Sequence, residues 1–223
     1  GDADAALETL SQLAVARPDL ASVHAALVYM LRRNEQCGRA IDSYTAALDL
    51  VDPDQERNWF MHYARAICYH EIDDWRPAEA DFRRALELNP GQPQVLNYLG
   101  YSLVEQRRNL DEALEMIEQA VAARPDSGYI VDSLAWVYYR LGRFEEAVEP
   151  MERAVELLPT DPIINDHLGD VYWMVGRKRE ARFQWERALS LEPAEEDAER
   201  IRLKLEMGLD RVLEQEGGVG ETQ

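Results

Sequence analysis

Residues 162–193 read PIINDHLGDVYWMVGRKREARFQWERALSLEP. Apolar residues recur there at helical spacing on both sides of a short polar break near Gly176, so the stretch reads as two amphipathic helices, the second closed by Pro193. Leu168, Gly169, Tyr172, Gly176, Ala181, Trp185 and Ala188 fall at offsets that the preceding stretch repeats with Leu134, Ala135, Tyr138, Gly142, Ala147, Met151 and Ala154 before Pro159. Pro18, Pro53, Pro90, Pro125, Pro159 and Pro193 recur every 34 to 37 residues. Small residues keep the same beat: Ala6, Ala40, Ala78, Ala113, Ala147 and Ala181 form one column, and Ala47, Ala85, Ala120, Ala154 and Ala188 another. A period in this range marks an array of repeats, each of which leaves an apolar face for its neighbours to cover. Alanines allow the helices to approach, larger apolar residues fill the gaps, and strand alternation is absent.

These residues resemble the tetratricopeptide repeat, whose pattern puts Leu-Gly and a tyrosine on the first helix, then alanine, an aromatic, alanine and proline. The resemblance implies an all-α, right-handed superhelical solenoid of helix–turn–helix repeats. Five repeats are expected, at 21–58, 59–92, 93–127, 128–161 and 162–193. The third keeps Leu99, Gly100, Ala113 and Ala120, with one extra residue in its turn near Asn109. The second has Arg65-Ala66 in place of Leu-Gly, but Tyr69, Trp75, Ala78, Phe82 and Ala85 restore the pattern. The first keeps Leu27, Ala40, Tyr44 and Ala47, and residues 52–58 lengthen its link to the next. Residues 1–20 match only the second helix of a truncated repeat, as though cut from a longer array. Residues 194–215 form a capping helix striped by Ala198, Ile201, Leu205, Leu209 and Val212, and 216–223 are a flexible tail. Pro150 falls inside a second helix, so a bend or an early start is expected there.

The chain has 223 residues, with 24 Lys and Arg against 43 Asp and Glu, a net charge of −19. So much acid is repelled by phosphate and by anionic lipid, which argues against nucleic acid or a membrane surface as a direct partner. Apolar residues make up 46% of the chain, enough for a real core, yet no apolar run approaches the ~18 residues of a membrane span. Cys37 and Cys68 form no CxxC pair and read as two buried thiols, with a bridge between them as the alternative. His24, His62, His70 and His167 are scattered, and no HExxH, P-loop or GxGxxG occurs. His70-Glu71 with Asp73 and Asp74 reads as a solvated acidic turn, not a metal site. Ser133 and His167 occupy equivalent places in adjacent repeats without implying an activated nucleophile. No enzyme, cofactor or metal is therefore expected. Arg177, Lys178, Arg179 and Arg182 form the one dense basic cluster, read as a solvated turn or a contact for an acidic partner.

In tetratricopeptide repeat proteins the first helices line the concave side. Their offsets select Tyr29, Phe60, Tyr63, Asn97, Tyr98, Tyr101, Tyr129, Asp132, Trp136, Tyr139, Asp166, His167, Asp170 and Trp173 as groove residues. Aromatics of this kind bury large rigid areas at small entropic cost, which suits binding, although Tyr98 and Tyr139 also suit packing between repeats. Positions that in some relatives grip a C-terminal carboxylate hold Tyr29, Tyr98, Tyr129, Asp132 and Ser133, and only Asn97 is suitable. Asp132, Asp166 and Asp170 beside Trp136 and Trp173 instead favour an apolar or basic segment of another protein. The expected function is a non-catalytic interaction scaffold. Self-association through the chain ends is the alternative, since a half-repeat at the start and an apolar helix at the end can pair between copies. The wording of residues 131–159 is also similar to long repeat proteins of the proteobacterial cell envelope, some of which bring substrates to proteases. That likeness points to the envelope or periplasm, with the cytoplasm as the other possibility.

Overall fold

The computed structural model describes residues 2–17, 20, 23, 26, 27, 30, 31, 36–49 and 51–217. Among them it holds twelve α-helices, one 3-10 turn at Glu56–Asn58 and no strand. Tyr29, much of the helix expected before Cys37, and residues 218–223 lie outside the described residues. The chain divides into two compact units, residues 1–99 and 100–223.

The first unit contains α1 (Asp2–Ala16), α2 (Cys37–Leu48), α3 (Trp59–Glu71), α4 (Trp75–Leu88) and the start of α5 (Pro93–Glu105). Its core joins Leu7, Leu27, Leu31, Ala40, Tyr44, Met61 and Ala64. Cys37 and Cys68 are buried there as free thiols, so no bridge links them. The lengthened link is tied down: buried Asn58 donates Nδ2 to the carbonyl of Asp52 at 2.7 Å, and Arg84 donates to the Pro53 carbonyl at 2.8 Å. Arg65, standing where the repeat pattern has leucine, donates Nε and Nη2 to Asp81 at 2.6 and 2.8 Å and Nη1 to Thr45 at 2.9 Å. A charge-assisted fork of this kind replaces apolar packing with directional bonds between α2, α3 and α4. Burial alone would raise the Asp81 pKa, but the bonds from Arg65 and His62 outweigh it and hold the carboxyl below its ordinary range.

The second unit contains the rest of α5, then α6 (Leu110–Ala123), α7 (Gly128–Arg140), α8 (Phe144–Leu157), α9 (Pro162–Met174), α10 (Lys178–Ser190), α11 (Glu195–Met207) and α12 (Leu209–Gln215). Helix α7 packs on α8 and α9 on α10, while α8 against α9 joins the two pairs. Ala113, Ala120, Ala147, Ala154, Ala181 and Ala188 have no exposed surface, as close helix approach requires. Gly169 lies against Trp185, and a β-carbon there would run into the indole ring. The start of α9 is fixed by sequence: Asp161 accepts from the amides of Ile163 and Ile164 at 3.0 and 3.1 Å, and Pro162 occupies the first turn.

The turn within each of four helix pairs places Asp73, Arg107, Gly142 and Gly176 at φ 60°, 52°, 73° and 81°. The left-handed turn is therefore kept where its glycine is not. The extra residue near Asn109 adds a second left-handed position, at φ 47°. Helix α8 neither restarts nor ends at Pro150 and runs unbroken from Phe144 to Leu157. Ala147, Met151 and Ala154 are buried along it, and that packing offsets the ~3 kcal/mol that an interior proline costs.

Candidate functional site

In the second unit the first-helix face carries two polar columns at a 34-residue interval, Asp132, Asp166 and Arg200, and Trp136, Asp170 and Lys204. Helix α11 thus continues the register of α7 and α9, but with bases where α9 has the acids Asp166 and Asp170. Lys204 has no exposed surface. Its Nζ donates to both oxygens of Asp166 at 2.9 and 2.7 Å and to Asp170 Oδ2 at 2.9 Å. Trp185 Nε1 donates to Asp170 Oδ1 at 3.0 Å, and Arg200 adds a charge 3.7 Å from Asp170 while donating Nε to Glu216 at 2.8 Å. A buried ammonium is tolerated only when its charge and all its protons are matched, and two carboxylates do that here. Burial and then the Asp170 charge hold the Asp166 carboxyl above its ordinary range, against the pull of Lys204.

Beside this cluster Trp136 stacks on the His167 ring at 4.0 Å and on Tyr139 at 4.6 Å. Trp136 Nε1 donates to Glu105 at 2.7 Å, and Arg140 donates to the same carboxylate at 3.2 Å. His167 Nδ1 pairs with Asp132 Oδ1 at 2.9 Å. Burial would lower the His167 pKa, but the charge and hydrogen bond of Asp132, with Asp166 and Asp170 behind it, raise it above its ordinary value. When protonated, the imidazole presents its charge to an indole face, a favourable cation–π geometry. Burial, with the Asp170 charge, raises the Tyr139 pKa as well. Tyr139 Oη and Trp173 Nε1 are buried without a hydrogen-bond partner.

These positions correct the sequence reading in one respect. Asp132, Trp136, Tyr139, Asp166, His167, Asp170 and Trp173 are brought together, but they are buried and not presented to solvent. On α9 the reason is α11 and the turn after it: Lys204 and Arg200 pair with Asp166 and Asp170, and Gly208 at φ 87° lies against the Trp173 ring, while on α7 His167 of the next repeat packs on Asp132 and Trp136. Tyr101 is half-buried on α5, and Tyr129 at the start of α7 is 60% exposed. In the first unit Phe60, Tyr63 and Tyr98 are half-buried in a ring cluster, with Tyr63 6.2 Å from Tyr98 and 6.1 Å from Phe82. The Asn97 side-chain oxygen is buried there without a hydrogen bond. Sequence reasoning missed Glu105, Arg140, Arg200 and Lys204. The last two were within reach, because extending the 34-residue interval past Pro193 lands on both.

A family model described as tetratricopeptide repeat matches residues 26–93, 63–127 and 99–162. The chain belongs to the tetratricopeptide repeat family. It is 28% identical over 144 residues to a TPR repeat-containing protein of Pseudomonas aeruginosa, a match covering 64% of this chain and 24% of that protein. The chain thus spans about a quarter of that relative's length. Among solved structures, a tetratricopeptide repeat protein from Parabacteroides merdae superposes with a TM-score of 0.72 at 19% identity, covering 100% of this chain and 89% of that one. YrrB, described as a TPR protein with an unusual peptide-binding site, superposes with a TM-score of 0.61 at 18% identity, covering 84% and 94%. At such identities the likeness establishes the fold, an all-α tetratricopeptide repeat solenoid.

Proposed function

We propose that this tetratricopeptide repeat chain is a non-catalytic scaffold whose first-helix face takes a segment of another protein bearing apolar and basic side chains. The observation that carries the reading is Lys204. The first-helix face at α9 already accepts one amphipathic helix in cis, and the group it grips is a lysine between two aspartates and near Trp185 of α10. The part of the face not filled by α11 offers Tyr129, Tyr101 and the Glu105 carboxylate, whose side chain is 45% exposed. A partner would lay apolar groups on the two tyrosines and direct a base at Glu105. No cofactor is required. The test is to capture partners on the full chain and compare variants by calorimetry. Tyr129→Ala should weaken binding by ~2 kcal/mol and Glu105→Lys should slow association, with Glu145→Gln on α8 as the control. A partner bound equally by all three would place the contact elsewhere.

Self-association is a second reading, favoured by Leu13 and Val15 on α1 and Leu203 on α11, which are 41%, 39% and 38% exposed. Light scattering across a concentration series separates the two: growth in mass with concentration supports self-association, and a constant mass opposes it.

A further inference from the structure

Helix α10 breaks with the acidic character of the chain. Its exposed face carries Arg179, Arg182 and Phe183, and Phe183 is 60% exposed. The equivalent positions one and two repeats earlier, Glu149 and Glu115, are acids, so an aromatic has replaced a solvated charge. Arg182 gives Nη1 to the Leu205 carbonyl at 2.6 Å, which satisfies a donor but leaves its charge unmatched. Beside Phe183 lies a cleft of about 520 Å³ lined by Tyr172, Arg179, Glu180, Phe183 and Gln184. Glu180 is occupied, accepting from Arg177 at 3.0 Å. The Gln184 side-chain oxygen is buried and makes no hydrogen bond. An acceptor taken out of water without a donor is costly, and a ligand N–H would relieve it.

From this juxtaposition we infer that the α10 face is a second docking surface, distinct from the first-helix groove, for a short acidic segment of another protein with an apolar side chain between its carboxylates. The apolar group lies on Phe183, a carboxylate meets Arg179, and a backbone N–H of the segment is directed at the Gln184 side chain where it lines the cleft. Charge selects this partner: a basic patch with a rigid aromatic attracts an acidic, partly apolar peptide. The net charge of −19 repels extended polyanions such as nucleic acid or an anionic bilayer.

The probe is a short fluorescein-labelled peptide of alternating glutamate and leucine, titrated with the full chain and followed by anisotropy. The expected result is saturable binding, weakened about tenfold or more by Phe183→Ala and by Arg179→Glu. Phe183→Leu should retain most of the affinity, and any binding of the same peptide with lysine for glutamate should be unaffected by Phe183→Ala and Arg179→Glu. Tyr129→Ala should leave binding unchanged, which keeps this surface separable from the groove. Phe183 is exposed, so circular dichroism should show the variants folded. No rise in anisotropy, or a rise untouched by both substitutions, overturns the proposal. So does stronger binding of duplex DNA or anionic vesicles that is lost in the same variants, which would reassign the patch to polyanions.

Discussion

Lys204 has no exposed surface and three short bonds to two carboxylates, so its removal leaves two buried aspartates facing each other with only Arg200, 3.7 Å from Asp170, to offset their charge. Breaking a buried pair from one side costs about 3–5 kcal/mol, far more than the pair contributes over an apolar replacement. Lys204→Met should therefore lower stability by about that much in urea, and adding Asp166→Leu with Asp170→Asn should restore part of the loss. A single variant as stable as the parent would mean that the aspartates are hydrated. His167 sets a pH dependence of definite sign. Its folded pKa is raised above the ordinary value near 6.5, so the folded state binds the proton more tightly than the unfolded chain. The resulting stability is complete below about pH 6.5 and is lost as pH rises through the folded pKa. Asp81 acts in the opposite sense: its lowered pKa gives stability that is present above about pH 4 and lost at lower pH. Thermal midpoints of the parent and His167→Gln should converge as pH rises above neutrality. Parallel curves would remove His167 as the source.

At the scale of elements, the repeat was legible because its constraints are steric and recur. Each buried alanine column fixes how closely two helices approach, and Gly169 is required because Trp185 fills the space a β-carbon would take. Ala181→Leu tests this packing: inserting a large side chain into a position with no exposed surface should cost ~1–3 kcal/mol. A denaturation midpoint equal to the parent's would show that α10 is not tightly held. What was not legible came from residues that satisfy one another across repeats. Arg65 looked like a weak match to leucine until Asp81 and Thr45 appeared around it. Asp166 and Asp170 looked like an exposed acidic site because their partner lies 34 or more residues away on a helix read only for its apolar stripe. Periodicity finds what every repeat must do and passes over the exceptions by which one repeat completes its neighbour.

The whole chain carries a net charge of −19, and two opposing electrostatic effects follow from that. Like charges distributed over the folded surface repel, which favours the expanded chain. Against this stand exposed pairs such as Arg202 with Glu195 at 2.8 Å, each of small value because both groups keep access to water. The Lys204 cluster is buried, and mobile ions do not reach it. Raising sodium chloride from about 0.01 M to about 0.15 M shortens the screening length from roughly 30 Å to roughly 8 Å. Pairs in direct contact lie well inside both lengths, whereas repulsion summed across a helical unit is cut off. Repulsion should therefore be relieved more than attraction, and the thermal midpoint should rise, by about 2–4 °C for each kcal/mol recovered in a chain of this size. Lys204→Met should lose the same increment of stability at both salt concentrations. A midpoint that falls with salt would mean that the exposed ion pairs outweigh the net charge, and a Lys204 effect that shrinks with salt would mean that solvent reaches the cluster.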